Sequence, residues 1–199
     1  MDVFSPVLFE RLAAHDGRAD DAILAKSLWD EFGCERTVLV LDMAGFTRTS
    51  REHGIVYYLT LIEKMRRSTA PLVVQAGGRV VKYEADNLFA VFPDPDSGMS
   101  FLASAYAVMD EANVGKDTAE QIHICAGLAH GRILLDDADF FGDAVNVASK
   151  LGEDLARRGE VLISQAVNIA LSKAPYRFEE VGNHGLYGST ATVHRWVRD

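Results

Sequence analysis

The sequence predicts an α+β fold: a ferredoxin-like βαββαβ core with an added C-terminal helix and strands, built on a mostly antiparallel sheet. Three observations carry this. Short runs rich in β-branched residues, such as TVLVLD at 37–42, alternate with longer segments whose apolar residues recur every three or four positions. The stretch 78–92, GRVVKYEADNLFAVF, reads as two strands around a tight turn near Ala85 to Asn87. With 199 residues and 48% hydrophobic content, the chain can bury one real core.

Residues 1–35 read as an N-terminal helical prefix to a domain occupying 36–199. In DAILAKSLWDEF, Ile23, Leu24, Leu28 and Phe32 fall near helical spacing before Gly33. The first strand, 37–42, has the continuous apolar run of a strand covered on both faces. A helix follows from Ser50 to Gln75, with Val56, Leu59, Ile62 and Met65 on its apolar face, and Pro71 is expected to kink or end it. Residues 94–113 begin with proline and acidic residues, the opening of another helix. QIHICAGLAHGRILL (121–135) is a strand with a glycine-interrupted continuation. Residues 141–159 read as a helix closed by Gly159. EVLIS (160–164) and ATVHRWV (191–197) are further strands, with a helix near 164–173 between them. This order predicts helices on one face of the sheet.

Composition narrows the function. A net charge of −9 argues against broad binding to nucleic acid or anionic membranes. No apolar run reaches the length of a membrane span, and the N-terminus lacks the pattern of a signal peptide. Cys34 and Cys125 have no metal-ligand spacing and fit a reduced, cytoplasmic protein. The six histidines are scattered, and no nucleophile elbow or dinucleotide-binding glycine motif is present.

Two carboxylates stand out. Asp42 ends the first strand and Asp86 lies in the hairpin turn; each alone is an ordinary turn residue. The topology brings both to one end of the sheet, where their repulsion is costly unless cations lie between them. Two hard cations held by two carboxylates suit the polarisation of a phosphoryl group. After Asp42 come Gly45, Phe46 and Thr47, a glycine turn into a helix start whose amides can cradle phosphates. In DFFGDAVNVASKL, Asn146 and Lys150 are four apart and share a helix face, which is either a solvated stripe or a pair that holds ribose and phosphate.

These segments, LDMAGFT, GGRVVKYEADNLFAVF and DFFGDAVNVASKL, in this order resemble the catalytic domain of class III nucleotidyl cyclases, the adenylyl and guanylyl cyclase family, most like the bacterial adenylyl cyclases. The resemblance runs from about Arg36 to the C-terminus. It implies that Asp42 and Asp86, helped by the Met43 carbonyl, hold two Mg²⁺ or Mn²⁺ ions. It implies that the backbone near Gly45, Phe46 and Thr47 holds the β- and γ-phosphates. Lys82 and Asp139 fall where adenine-selecting members carry lysine and aspartate, and Asn146 and Lys150 fall where asparagine and arginine act on the reacting centre. The implied activity is conversion of ATP to 3′,5′-cyclic AMP and pyrophosphate at sites shared between the two chains of a homodimer, with no nucleic acid or membrane partner.

The chain departs from the family pattern at Lys150, which lacks the planar fork of arginine. It departs also at Ala85, where glycine is usual, at Cys125, where arginine often sits, and at Tyr187-Gly188, where lysine-glycine often contacts phosphate. Two alternatives therefore stand beside adenylate cyclase: a weak or inactive cyclase-fold regulatory domain that binds nucleotide, and a cyclase for GTP or a pyrimidine nucleotide. The prefix, with Trp29, packs on the domain, extends the dimer or links to an unknown upstream sensor.

Overall fold

The computed structural model describes residues 7–15, 22–172, 175–186 and 189–198, with the side chains of 46–48, 186, 189 and 190 excepted. Strand β1 (Gly33–Met43) forms the centre, because Thr37 to Leu41 bury their side chains on both faces. It pairs antiparallel with β3 (Asn87–Phe92) on one side and β4 (Ile124–Leu135) on the other. Strand β2 (Arg79–Glu84) completes the hairpin at the edge. Beyond β4 the sheet continues through β6 (Val161–Ser164), which is parallel to β4, and then β8 (Ser189–Val197) and β7 (Arg177–Leu186). The two-residue strand β5 (Phe140–Phe141) pairs with β4. The order β2-β3-β1-β4 is the expected ferredoxin-like core, and its two central strands come from the first strand and the hairpin.

Helices α4 (Ile55–Gln75) and α5 (Pro95–Asn113) cover one face, where Leu39, Leu41 and Phe92 meet Tyr58, Met65 and Phe101. Helix α6 (Asp143–Ser149) covers the other, packing Ala144 and Ala148 on Val38, Val40 and Phe89. The expectation of helices on one face is thereby corrected: a strand apolar on both sides needs cover on both. Two glycines allow the second layer its close approach. A Cβ on Gly127 would lie 2.2 Å from the Ala148 carbonyl oxygen, and one on Gly152 would lie 2.5 Å from that of Val40.

Several expected boundaries move. The helix from Ser50 to Gln75 is two helices, α3 (Phe46–His53) and α4, broken at Gly54 with φ 85°. Pro71 does not end α4, which runs on to Gln75; the Arg67 carbonyl that it leaves without a helical donor belongs to an exposed residue, open to solvent. Val56 and Leu59 are 72% and 52% exposed, and the buried face runs instead through Tyr58, Leu61, Ile62 and Met65. The segment 141–159 is not one helix: α6 passes into a π-helical turn (Lys150–Leu155), then extended chain, and Gly159 turns back to donate to the Ile124 carbonyl at 3.0 Å. Strand β4 starts at Ile124 rather than 121. Helix α7 (Gln165–Ala170), capped by Ser164, is shorter than expected, and Lys173 and Tyr187-Gly188 lie outside the described residues.

The prefix holds α1 (Val7–Ala14), which the apolar spacing did not announce, and α2 (Ala22–Phe32). Leu24 and Leu28 are buried as expected, whereas Ile23 is 83% exposed. Leu8, Leu24 and Leu28 pack on Leu134 and Phe141, and Gly33 already belongs to β1. No helix among the described residues is long and apolar enough to cross a membrane.

Candidate active site

The antiparallel register, Leu41 opposite Leu88, carries Asp42 at the end of β1 and Asp86 in the β2–β3 turn to the same end of the sheet. They interact. Burial first, and then the charge of Asp86, push the Asp42 carboxyl up to about 6, and Glu153 adds to the rise. The Met43 backbone N–H, by hydrogen bonding, pulls the other way. Tyr58, buried on α4, donates its hydroxyl to Asp86 Oδ2 at 2.9 Å. That phenol is held far above its usual range, by burial and by Asp86, so it stays a donor. The Cys125 thiol, 3.9 Å from Asp42 Oδ2, is pushed up to about 12 by burial and then by Asp42.

Met43 ends β1 with its side chain buried in the core. Gly45 then takes φ 107° and starts α3, so the backbone amides at 46 and 47 open a helix. This is the glycine turn the sequence suggested, and it follows the Asp42 strand end directly.

Lys82 reaches its place through a β-bulge. Val80 pairs with Ala90 and Lys82 with Phe89, so Val81 is the extra residue. Strict alternation would have sent Lys82 to the α4–α5 face with Val80. The bulge turns it to the α6 face, where its ammonium lies over the Phe89 ring at 5.2 Å and stands 3.2 Å from Asp139 Oδ1. Glu84 approaches the same ammonium at 3.6 Å. Lys82, Asp139, Phe89, Val145 and Glu153 line a cavity of about 460 Å³.

Asn146 is exposed on α6, and Lys150 begins the π-helical turn one helical turn later, its backbone N–H still donating to the Asn146 carbonyl. The two thus share a face as expected. Lys150 Nζ pairs with Asp154 at 2.6 Å.

Within the chain the residues form two groups, Asp42 with Asp86 and Lys82 with Asp139. Glu153 touches both: its charge acts on Asp42, it lines the Lys82 cavity, and it accepts from Asn87 Nδ2 at 2.5 Å. Burial, with Asp154 and Glu84, raises the Glu153 pKa. Sequence reasoning missed Tyr58, Phe89, Asn87 and Glu153. The available signal was Tyr58, an aromatic hydroxyl on an apolar helix face, which needs a partner when buried. The Asn87 Oδ1 atom, buried and without a partner among the described residues, completes the set.

The carboxylate pair fits hard cations: two acidic side chains repel one another where the end of β1 meets the β2–β3 turn. Among the described residues no cluster of three or more acidic, histidine or cysteine side chains is arranged to hold a metal ion.

The ferredoxin-like core thus carries paired carboxylates at one strand end and a lysine–aspartate cavity beside them. The model of the adenylate and guanylate cyclase catalytic domain matches residues 34–198, and the chain belongs to that family. A crystal structure of an adenylate/guanylate cyclase/hydrolase from Silicibacter pomeroyi is 28% identical, with a TM-score of 0.76 over 84% of this chain and 98% of that one. The adenylyl cyclase CyaB from P. aeruginosa shares the fold at 19% identity and a TM-score of 0.69, over 84% of this chain and 96% of that one. An adenylate cyclase of Streptomyces coelicolor is 30% identical over 125 residues, 63% of this chain and 31% of its own length. The chain spans 27% and 18% of matching proteins from Rhizobium meliloti and Myxococcus xanthus, so it corresponds to under a third of these curated relatives. Domains of this family depend on divalent metal ions.

Proposed function

We propose that the chain is an adenylate cyclase, forming 3′,5′-cyclic AMP and pyrophosphate from ATP at the interface of a homodimer. The observation that carries this is the Lys82–Asp139 pair over Phe89. Lysine donates to an adenine ring nitrogen, and aspartate accepts from the exocyclic amine; guanine offers a carbonyl oxygen there, which Asp139 repels.

Asp42 and Asp86, with the Met43 carbonyl, would hold two Mg²⁺ or Mn²⁺ ions, which when bound polarise the phosphates and favour the ribose 3′-oxygen as nucleophile. Tyr58 fixes one Asp86 oxygen. The amides after Gly45 receive the β- and γ-phosphates. Asn146 orients the ribose, and Lys150 leaves Asp154 to meet charge developing on the α-phosphate. In the reaction a bond forms from the 3′-oxygen to the α-phosphorus, the bridging oxygen leaves with pyrophosphate, and the hydroxyl proton passes to solvent. A dimer supplies the carboxylates from one chain and the base and ribose contacts from the other, giving two equivalent sites. Residues 36–199 make up the catalytic unit.

The test is cyclic nucleotide formation from ATP, GTP, CTP and UTP with Mg²⁺ or Mn²⁺ at high protein concentration. Cyclic AMP as the main product supports the reading, and cyclic GMP or a cyclic pyrimidine nucleotide moves it to another base. Binding without turnover supports the second reading, a regulatory nucleotide-binding domain, which Lys150 in the place of the family's arginine favours.

A further inference from the structure

Asp136 is 7% exposed, and its carboxylate accepts from two backbone amides. Oδ1 accepts from Asp137 N at 2.6 Å and Oδ2 from Leu8 N, in the first turn of α1, at 3.1 Å. The residue sits where β4 turns into β5, and that turn carries Asp139. Its own amide donates to the Asp139 carbonyl at 2.9 Å. From the other side, Arg79 of β2 donates to the Asp136 and Asp137 carbonyls at 2.8 and 3.2 Å. Next along the chain, Phe9 of α1 meets Phe141 edge-on at 5.4 Å, and Phe141 lines the Lys82–Asp139 cavity. The prefix therefore holds the turn that carries Asp139 by a polar contact at Asp136, 128 residues away in sequence, and the strand that follows it, β5, by an aromatic contact at Phe141.

A buried carboxylate that loses its donors must find others or move. The four residues 136–139 have no helix or long ladder of their own, so their shape depends on these contacts. We propose that Asp136 is a positioning residue for Asp139, and that docking of α1 on it makes the N-terminal prefix part of the apparatus that selects the base. This rests on the adenylate cyclase reading and deepens it. The consequence is regulatory: whatever moves α1 changes which nucleotide the site prefers before it changes the chemistry.

The test uses the full chain with Asp136→Ala, Asp136→Asn and Phe9→Ala. Equilibrium binding of ATP and GTP is measured by calorimetry with Mn²⁺, alongside kcat and KM. Asp136→Ala is expected to cut the ATP-over-GTP binding ratio at least fivefold and to raise KM for ATP with kcat within twofold. Asp136→Asn keeps one acceptor and is expected to recover part of the ratio. Phe9 is 45% exposed, so Phe9→Ala leaves the fold intact and is expected to shift the ratio in the same direction, and it carries the test if Asp136→Ala fails to fold. Equal loss for both nucleotides, or an unchanged ratio in Phe9→Ala and a folded Asp136 variant, overturns the proposal. A wild-type chain without base preference overturns the adenylate reading itself, and that is seen before any variant is compared.

Discussion

The Lys82 ammonium stands 3.2 Å from the Asp139 carboxylate across 57 positions of sequence, brought to the α6 face by a single extra residue in β2. Both side chains keep about a third of their surface in solvent, so their mutual attraction stabilises the fold by no more than about 1 kcal/mol. Under the proposed function their consequence lies in binding. Lys82→Ala and Asp139→Ala should each move the melting temperature by only a few degrees while raising KM for ATP roughly tenfold, the loss expected of one charge-assisted hydrogen bond. Melting curves and steady-state kinetics on the same samples check this. A large melting shift with unchanged KM would make the pair a structural strut instead.

Asp42 gives a pH dependence. An unfolded aspartate releases its proton near 3.8, while folded Asp42 keeps it to about 6. Between those values the folded chain binds more protons than the unfolded one, so stability falls as pH rises through that window and stays lower above it. Asp42→Asn removes the effect and should stabilise the metal-free chain at pH 7 by about 1 kcal/mol, once solvent screening of this half-buried group is allowed for. Near pH 3.5 the two proteins should match. Mn²⁺ should raise the wild-type melting temperature above pH 6 and leave the variant unmoved. Denaturant titrations at both pH values decide it, and a less stable Asn variant at pH 7 would show that the carboxylate is held by attraction.

Ala85 precedes Asp86 with φ 50°, the only described non-glycine residue at positive φ. A side chain there costs about 1–2 kcal/mol, partly offset in Ala85→Gly by the greater freedom of the unfolded chain. Ala85→Gly should therefore raise stability by roughly 0.5–1 kcal/mol without altering KM for ATP. Chemical denaturation measures it. A destabilised glycine variant would mean that the contact of Arg66 with the Ala85 carbonyl, at 2.6 Å, depends on the stiffer residue.

The legible and illegible parts of the molecule divide along physical lines. Strand β1 and the hairpin showed in the sequence as β-branched-rich runs, α5 through its proline and acidic first turn, and α4 through an apolar period of which Ile62 and Met65 are buried while Val56 and Leu59 are exposed. Asp42 and Asp86 were readable because strand ends and tight turns have fixed places in a βαββαβ order. Strand β7 was not, since an edge strand with Glu179 and Glu180 in solvent needs no alternating apolar pattern. The bulge at Val81 left no mark in VVKY, so Lys82 looked like any alternating strand residue although its face depends on the bulge. Tyr58 and Glu153 act on the carboxylates only through the approach of α4 and the π-helical turn, which no local spacing encodes.

The π-helical turn tests that approach. A Cβ at Gly152 would meet the Val40 carbonyl oxygen at 2.5 Å and the Gly127 amide nitrogen at 2.9 Å, both backbone atoms of central strands. Neither strand can yield, so Gly152→Ala must lift the turn. The expected cost is about 2–4 kcal/mol, in the range of overpacked cores. Lifting the turn also withdraws Glu153 from Asp42, so the Asp42 pKa should fall in the variant. Carboxylate titration by nuclear magnetic resonance reads this directly, and an unshifted Asp42 would place the Glu153 charge too far off to matter.

Lys150 pairs with Asp154 one turn along, at 2.6 Å, with both side chains partly in water. Such an i,i+4 pair stabilises by only about 0.3–0.5 kcal/mol, so a phosphate can displace the aspartate easily. An ammonium gives the phosphate a point charge, while a guanidinium gives two parallel donors. Lys150→Arg should accordingly hold or raise kcat, up to about tenfold, with little change in KM, because the gain falls on charge that develops in the transition state. Asp154→Ala should act in the same direction, more weakly, by freeing the ammonium from this partner. Rates measured under saturating ATP separate the two effects from binding. A large loss of kcat in Lys150→Arg would mean that the space between α6 and the π-helical turn is shaped around the smaller cation, and that Asp154 holds it in place for the reaction.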